Sequence, residues 1–178
     1  MLSVIRDYFS IVKELVTPDA IYEGIENVPF DSLYQKGYRT ILLDVDNTLL
    51  VYNELFMTLQ KVNCIQRFKA AGFRVYLISN NSSHRRIQRV SRQLEVFGIH
   101  FSLKPFVWST RNFAKRMGFD LTRSIIIGDQ LFTDVIMGNW LRSYTILVDP
   151  LDKKLSFVKT VQREIELFLL RKFQVSRS

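Results

Sequence analysis

Short apolar runs of strand length alternate along this chain with longer segments in which apolar residues recur at helical spacing. The runs predict strands at about 39–44, 73–79, 99–103, 124–129 and 144–148. The longer segments predict helices at about 2–16, 58–71, 82–97, 106–117 and 153–173, with a shorter one at 31–35. Such alternation is typical of a parallel sheet covered by helices on both faces. We therefore expect a three-layer, Rossmann-like α/β sandwich around a mostly parallel sheet of five strands.

Glycines mark the predicted ends of three helices: Gly72, Gly98 and Gly118 each follow a segment of helical periodicity. Glycine adopts the left-handed backbone that commonly ends a helix. The chain shows no internal repeat and no low-complexity linker. We therefore expect residues 1–178 to form one domain, with a catalytic core at about 38–150 between the terminal helices.

The composition of the 178 residues, 47% hydrophobic and 24% charged, is that of a folded protein with its own core. Cys64 is the only cysteine, so an internal disulfide and a thiolate metal cluster are excluded. We expect no secretory signal in residues 1–10, which lack a long apolar run. No apolar run approaches the roughly 20 residues needed to span a bilayer. These features favour a cytoplasmic protein.

The net charge of +8 indicates an anionic partner, such as nucleic acid, an anionic lipid surface or a phosphorylated substrate. The predicted fourth helical segment is strongly basic, with Arg85, Arg86, Arg89 and Arg92. These arginines are expected on a solvated helix face, with anion binding as the alternative. Two tryptophans, Trp108 and Trp140, are expected in the core or in a groove.

Polar and charged residues follow the predicted strands. Asp44 and Asp46 end the first strand, Ser79 ends the second and Lys104 follows the third. The fourth strand ends at Asp129, and Asp134 lies in the helix after it. Because the carboxyl ends of parallel strands meet at one edge of a sheet, we expect these side chains to converge. Leu49 to Phe56 is expected to form an apolar loop over the acids.

A group of three or more carboxylates makes a hard oxygen site suited to Mg²⁺. One carboxylate can instead attack phosphorus and form an aspartyl-phosphate. Lys104 would balance the carboxylates and the phosphoryl group, and Ser79 would donate a hydrogen bond to a phosphate oxygen. The strand ends therefore predict phosphoryl-transfer chemistry.

Four segments resemble, in order, the four motifs of the haloacid dehalogenase-like (HAD) phosphatases. They are Asp44-Val45-Asp46-Asn47-Thr48, Ser79-Asn80, Lys104-Pro105 and Gly128-Asp129-Gln130-Leu131-Phe132-Thr133-Asp134. The resemblance covers roughly residues 38–150. It implies a catalytic group of Asp44, Asp46 and Lys104, with Asp44 as nucleophile and Asp46 as general acid and then base. It further implies Mg²⁺ held by Asp44, the Asp46 carbonyl, Asp129 and Asp134, and substrate contacts from Thr48, Ser79 and Asn80.

Within the superfamily, the acid at Asp46 is typical of phosphatases, since the dehalogenases do not keep one there. The short separations between Asp46, Ser79 and Lys104 leave no room for a cap domain, which implies a large substrate. The segments 79–81 and 128–139 are similar to the IIIA subclass in its YqeG-type branch. That branch is related to phosphatidylglycerophosphate phosphatases, so the resemblance implies this lipid as substrate and phosphatidylglycerol as product.

A lipid substrate implies an anionic headgroup as partner and peripheral contact with the inner face of a membrane. The two terminal helices are expected to assist this contact, since residues 151–178 mix basic and apolar residues as an interfacial helix does. The alternative is that the last helix packs on the sheet with its lysines facing water. Nucleic-acid or protein phosphates are the alternative substrates. Nucleic acid is less favoured because residues 82–96 contain no Phe, Tyr or Trp to stack bases. A non-enzymatic phospho-acceptor or scaffold is the third alternative, against which Asp46 argues.

Overall fold

The computed structural model describes residues 2–52, 54–152, 157–173 and 175. Six strands of these residues form one sheet. They are β1 (Ala20–Tyr22), β2 (Thr40–Leu43), β3 (Arg74–Ile78), β4 (Phe97–Ile99), β5 (Ser124–Gly128) and β6 (Tyr144–Val148). Their order across the sheet is β1-β6-β5-β2-β3-β4, and every neighbouring pair is parallel.

Helices connect the strands. They are α1 (Leu2–Val16), α2 (Phe30–Gln35), α3 (Leu59–Ala70), α4 (His84–Leu94), α5 (Trp108–Met117), α6 (Ile136–Leu141) and α7 (Phe157–Lys172). Short 3₁₀ turns lie at Ile25–Asn27 and Leu121–Arg123, and a wide π-type turn lies at Leu131–Val135. Serine and threonine begin two helices, since the side chains of Thr58 and Ser83 accept hydrogen bonds from backbone N–H groups of α3 and α4.

Both faces of the sheet are covered. Because successive strand residues point to opposite faces, Leu43 packs with Phe68 of α3 while its neighbour Leu42 packs with Phe113 of α5. Helices α2, α3 and α4 cover the first face. The second face is covered by α5 and α6, and near β1 and β6 by α1 and α7, whose Phe173 end is buried. The predicted three-layer α/β sandwich is confirmed.

The sequence-based prediction of five strands omitted β1, which is the sixth. This strand has only three residues, too few to show a periodic pattern, and its partner β6 lies near the other end of the chain. Pairing with β6 therefore makes residues 20–22 a strand, although their own sequence does not predict one.

A second correction concerns Gly98, which was expected to close the basic helix but lies inside β4. The helix α4 ends earlier, at Leu94, and Glu95 takes the left-handed conformation (φ 54°) instead. A Cβ atom at Gly98 would lie 2.8 Å from Cβ of Leu77 and 3.1 Å from Oγ of Ser91. The glycine is required because β4 approaches β3 and α4 closely. The third predicted strand, expected at 99–103, is thus β4 at 97–99.

The described residues between Asp46 and Ser79 form a loop, α3 and β3, and those between Ser79 and Lys104 form α4 and β4. Neither segment contains an inserted cap. The first part of the predicted last helix, 153–156, lies outside the described residues. Within the described part of the chain, no helix has the length and apolar character needed to cross a bilayer.

Candidate active site

A buried lysine ties together the ends of three strands. Lys104 Nζ donates hydrogen bonds to Oδ1 of Asp44 at 2.5 Å, Oδ1 of Asp134 at 2.7 Å and the carbonyl of Ile78 at 3.3 Å. The side chains of Lys104 and Asp134 are each 2% exposed, and that of Asp44 is 8% exposed. Such buried charges persist because each has an opposite charge within hydrogen-bond distance.

Three carboxylates meet beside this lysine. Asp44, Asp129 and Asp134 each contribute an oxygen, and these oxygens lie within 4.8 Å of one another. Oδ2 of Asp44 is buried without a hydrogen-bond partner among the described residues. A buried carboxylate oxygen left unpaired is costly, and a divalent cation would remove that cost. The donor set therefore fits Mg²⁺, a hard cation that prefers oxygen ligands.

The pKa values of these carboxylates reflect the crowding. The pKa of Asp129 is raised to about 8, mainly by burial and also by the neighbouring charges of Asp44 and Asp134, against the opposing effect of Lys104. Burial likewise raises the pKa of Asp44 to about 6, although Lys104 opposes this shift. Burial would lower the pKa of Lys104, but Asp134 and Asp44 raise it above its ordinary value, which keeps the ammonium charged. A bound cation would favour the ionised carboxylates.

Asp134 reaches the site because the residue before Asp129 is a glycine. A Cβ atom at Gly128 would lie 2.2 Å from Cγ of Asp134, a distance that no packing adjustment allows. The wide turn after β5 places Asp134 against this glycine, where its Oδ2 accepts a hydrogen bond from the backbone N–H of Gln130 at 3.1 Å. Gly128 is therefore needed for the close approach of the second acid.

Asp46 lies on the outer side of the site and is only partly buried. Three side chains donate hydrogen bonds to its carboxylate: Ser79 Oγ at 3.3 Å, Asn81 Nδ2 at 3.1 Å and Arg86 Nε at 2.8 Å. Arg86 also donates to the carbonyls of Glu54 at 2.6 Å and Val51 at 2.9 Å. One guanidinium thus holds both the outer acid and the loop that follows it.

A cavity of about 320 Å³ opens where these groups meet. This volume is at the lower end of the range for small-molecule sites. Most of its lining is polar. The lining residues are Asp44, Asp46, Tyr52, Ser79, Asn80, Asn81, Ser82, Lys104, Gln130 and Thr133.

The chain that carries this site matches a known protein family in sequence. The sequence profile of the mitochondrial PGP phosphatase family matches residues 5–151, well over half of the chain. The chain belongs to that family. The predicted HAD phosphatase of YqeG type is confirmed, and the family assignment makes the chain a phosphatase.

Two relatives support the family assignment. The chain is 28% identical over 160 residues to probable phosphatase YqeG of Bacillus subtilis, covering 90% of this chain and 92% of that protein. It is 23% identical over 170 residues to phosphatidylglycerophosphate phosphatase 1, chloroplastic/mitochondrial, of Arabidopsis thaliana. That match covers 90% of the present chain and 49% of the plant protein, so the chain spans about half of the plant protein's length.

Solved structures show the same fold. An uncharacterized protein from Listeria monocytogenes serotype 4b matches with a TM-score of 0.54 at 18% identity, over 75% of this chain and 99% of that one. The cobalt-bound deoxy-D-mannose-octulosonate 8-phosphate phosphatase of Haemophilus influenzae matches with a TM-score of 0.51 at 14% identity, over 78% and 91% of the two chains. At these identities the likeness shows the fold alone.

Thr48 and Asn80, the other two predicted substrate-binding residues, also lie at the site, where they contact different partners. Thr48 Oγ1 donates a hydrogen bond to Oδ1 of Asp129 at 3.4 Å. The amide of Asn80 accepts a hydrogen bond from the backbone N–H of Lys104 at 2.6 Å and donates one to its carbonyl at 2.9 Å. In this PGP phosphatase family member, Asn80 therefore holds the lysine loop in addition to lining the cavity.

Sequence reasoning missed Arg86 and Asn81 as site residues. Asn81 was visible as part of the Ser-Asn-Asn run. Arg86 was visible only as one of four arginines on a basic helix, and nothing in that pattern separates it from Arg85. The structure separates them, since Arg85 is exposed whereas Arg86 bonds to Asp46.

Proposed function

We propose that this chain is a Mg²⁺-dependent phosphomonoesterase that acts through an aspartyl-phosphate on Asp44. The observation that carries the proposal is the buried, unpaired Oδ2 of Asp44 within the group of three carboxylates. Lys104 fixes the other oxygen of Asp44, so the carboxylate is held in one orientation. Mg²⁺, held by Asp44, Asp129 and Asp134, would neutralise charge on the phosphoryl oxygens.

The two acids divide the work in this proposal. A carboxylate oxygen of Asp44 attacks phosphorus, and the bond from phosphorus to the ester oxygen breaks as Asp46 gives that oxygen a proton. Asp46 then removes a proton from water, which attacks the acyl phosphate and releases inorganic phosphate with Asp44 regenerated. Ser79 and Asn81 keep Asp46 in the cavity for both steps. The Lys104 ammonium stabilises the negative charge on Asp44 before the attack and again when the acyl phosphate is hydrolysed.

The favoured substrate is phosphatidylglycerophosphate, whose hydrolysis gives phosphatidylglycerol. The family assignment and the Arabidopsis relative, whose name states this activity, support the choice. A site without a cap in the described residues suits a phosphate carried on a large molecule. The partner is then an anionic lipid headgroup, met by peripheral contact with the inner face of a membrane. A cytoplasmic location and a single domain remain predictions.

The test is phosphate release by purified protein from phosphatidylglycerophosphate, a phosphorylated oligonucleotide, a phosphopeptide and a sugar phosphate, each with Mg²⁺ or with EDTA. We expect the lipid to give the highest kcat/KM, and EDTA to abolish release. The Asp44→Asn variant serves as the control for contaminating phosphatases. A higher kcat/KM on polynucleotide ends or phosphopeptides would reject the lipid, and EDTA-resistant release would reject the metal.

A further inference from the structure

Large apolar side chains are exposed around the mouth of the proposed active site. Nine of the fifteen large apolar side chains that are exposed among the described residues lie in loops after strands or at helix starts on the catalytic edge. We call these nine the apolar rim. They are Tyr52, Leu55, Phe56, Leu59, Phe101, Leu103, Phe106, Trp108 and Leu151.

The rim lies on more than one side of the cavity. Tyr52 lines the cavity, and the loop that contains it also carries Leu55 and Phe56. Phe106 and Trp108 belong to the segment that follows Lys104, itself a lining residue. Their exposed fractions are 67% for Phe56, 68% for Phe106 and 73% for Trp108. Exposed apolar side chains therefore occur in two of the segments that supply lining residues of the cavity.

Hydrogen bonds hold the part of the rim that contains Phe101 and Leu103. Phe101 and Leu103 have positive φ angles of 50° and 60°, which apolar residues rarely adopt. The backbone N–H of Phe101 donates to the carbonyl of Asn81 at 3.0 Å. The side chain of Asn80 bonds to both the backbone N–H and the backbone carbonyl of Lys104. The chain thus pays a conformational cost to keep these apolar side chains outward.

We infer that the apolar rim is the surface by which this protein contacts an anionic phospholipid bilayer. The inference rests on the proposed function, since it places the lipid phosphate at the cavity. Aromatic side chains such as Trp108 and Phe106 are those that favour the membrane interface. The first turns of α4 and α5 add the exposed Arg85 and Arg111, which suit anionic headgroups. A capless site reaches a headgroup by lowering its rim into the interface.

The inferred surface differs from the terminal segment expected from the sequence. Leu170 and Phe173 of that segment are buried against Val16 and Leu147, so part of its apolar face packs in the core. Phe168 remains 60% exposed on α7. Phe97, the first residue of β4, is 70% exposed and pairs with Tyr76 in the middle of β3 rather than lying in a loop of the catalytic edge. These two exposed phenylalanines provide matched controls.

The test measures sedimentation with vesicles of equal parts phosphatidylglycerol and phosphatidylcholine, and with phosphatidylcholine alone. We expect the triple variant Phe56→Ser, Phe106→Ser, Trp108→Ser to lose binding to anionic vesicles by about tenfold or more. The double variant Phe97→Ser, Phe168→Ser should bind as the parent does. Exposed side chains contribute little to folding, and matching melting temperatures would establish that all variants fold.

Tryptophan emission gives a second reading. With Trp140→Phe as background, Trp108 is the only tryptophan, and its emission should shift to the blue on adding anionic vesicles. With Trp108→Phe as background, Trp140 should not shift. Unchanged vesicle binding by the triple variant, or a shift confined to Trp140, would overturn the inference. A change in oligomeric state in the triple variant, with vesicle binding kept, would instead make the rim an interface between protein chains and would equally overturn it.

Hydrolysis of a soluble aryl phosphate separates this inference from the proposed function. The rim variant should hydrolyse this ester at the parent's rate while losing activity on vesicle-borne phosphatidylglycerophosphate. Vesicle binding through the rim by a protein that hydrolyses neither ester would sustain the surface and reject the function. Parent-like vesicle activity in the rim variant would reject the surface and leave the function standing.

Discussion

The inner and outer halves of the active site contain acids from the same strand end in opposite surroundings. Asp44, in the inner half, is buried and bonded to Lys104, and one of its oxygens has no partner among the described residues. Asp46, in the outer half, is partly exposed and accepts hydrogen bonds from Ser79, Asn81 and Arg86. In the proposed mechanism, it is therefore the environment, rather than the residue type, that assigns different roles to the two carboxylates.

Replacing the inner acid should have the largest effect. Asp44→Asn should reduce phosphate release to the rate without enzyme, because an amide cannot form the acyl phosphate. The side chain stays the same size, so the fold should persist by circular dichroism. Activity within tenfold of the parent would show that the inner half does not supply the nucleophile.

Replacing the outer acid should have a smaller effect and a different signature. Asp46→Asn should lower turnover by about a hundredfold to ten-thousandfold, since a general acid and base is lost. Because the second step needs the base, phosphate should accumulate on Asp44, where mass spectrometry of acid-quenched protein can locate it. Phosphate on another residue would contradict the division of roles between the two halves.

The guanidinium that holds the outer acid should matter less than the acid itself. Arg86→Gln should lower kcat by about tenfold to a hundredfold, because Asp46 and the loop at Val51 and Glu54 lose a common anchor. Arg86→Lys should give an intermediate rate, since lysine keeps the charge without the fork of donors. Arg85→Gln, one residue away and exposed, is the control. An equal loss of kcat in that variant would mean that the loss comes from the change in net charge and not from the contacts of Arg86.

The smallest effect concerns stability in the inner half. The pKa of Asp129 is raised from 3.8 to about 8, so the folded state holds this proton more tightly than the unfolded state. The metal-free protein should therefore lose stability as pH rises from the ordinary carboxyl pKa toward 8. Thermal melts in EDTA measure this loss.

Asp129→Asn tests the origin of that loss. The variant should lose less stability over the same pH range, because the amide carries no charge at any pH. Mg²⁺ at pH 8 should raise the melting temperature of the parent and leave the variant nearly unchanged. A variant that keeps the parent's pH dependence would place the titrating group elsewhere.

The sequence alone determined the parallel α/β architecture, five of the six strands and the edge where the acids gather. Strand runs are local signals, and parallel strands necessarily bring their carboxyl ends together. Asp44, Lys104, Asp129 and Asp134 were therefore predictable as neighbours. The HAD motifs then predicted the family, which the profile match confirms.

Only the tertiary structure decided which residues complete the site and which face outward. Arg86 differs from Arg85 only through the docking of α4, which aims one arginine at Asp46. Trp108 was expected in the core or a groove, yet it is 73% exposed at the first position of α5. Gly98 has the sequence context of a helix end, but it lies in β4, where it allows the strand to approach β3 and α4 closely. For Arg86 and Gly98, the deciding contact joins segments distant along the chain, about which local periodicity carries no information.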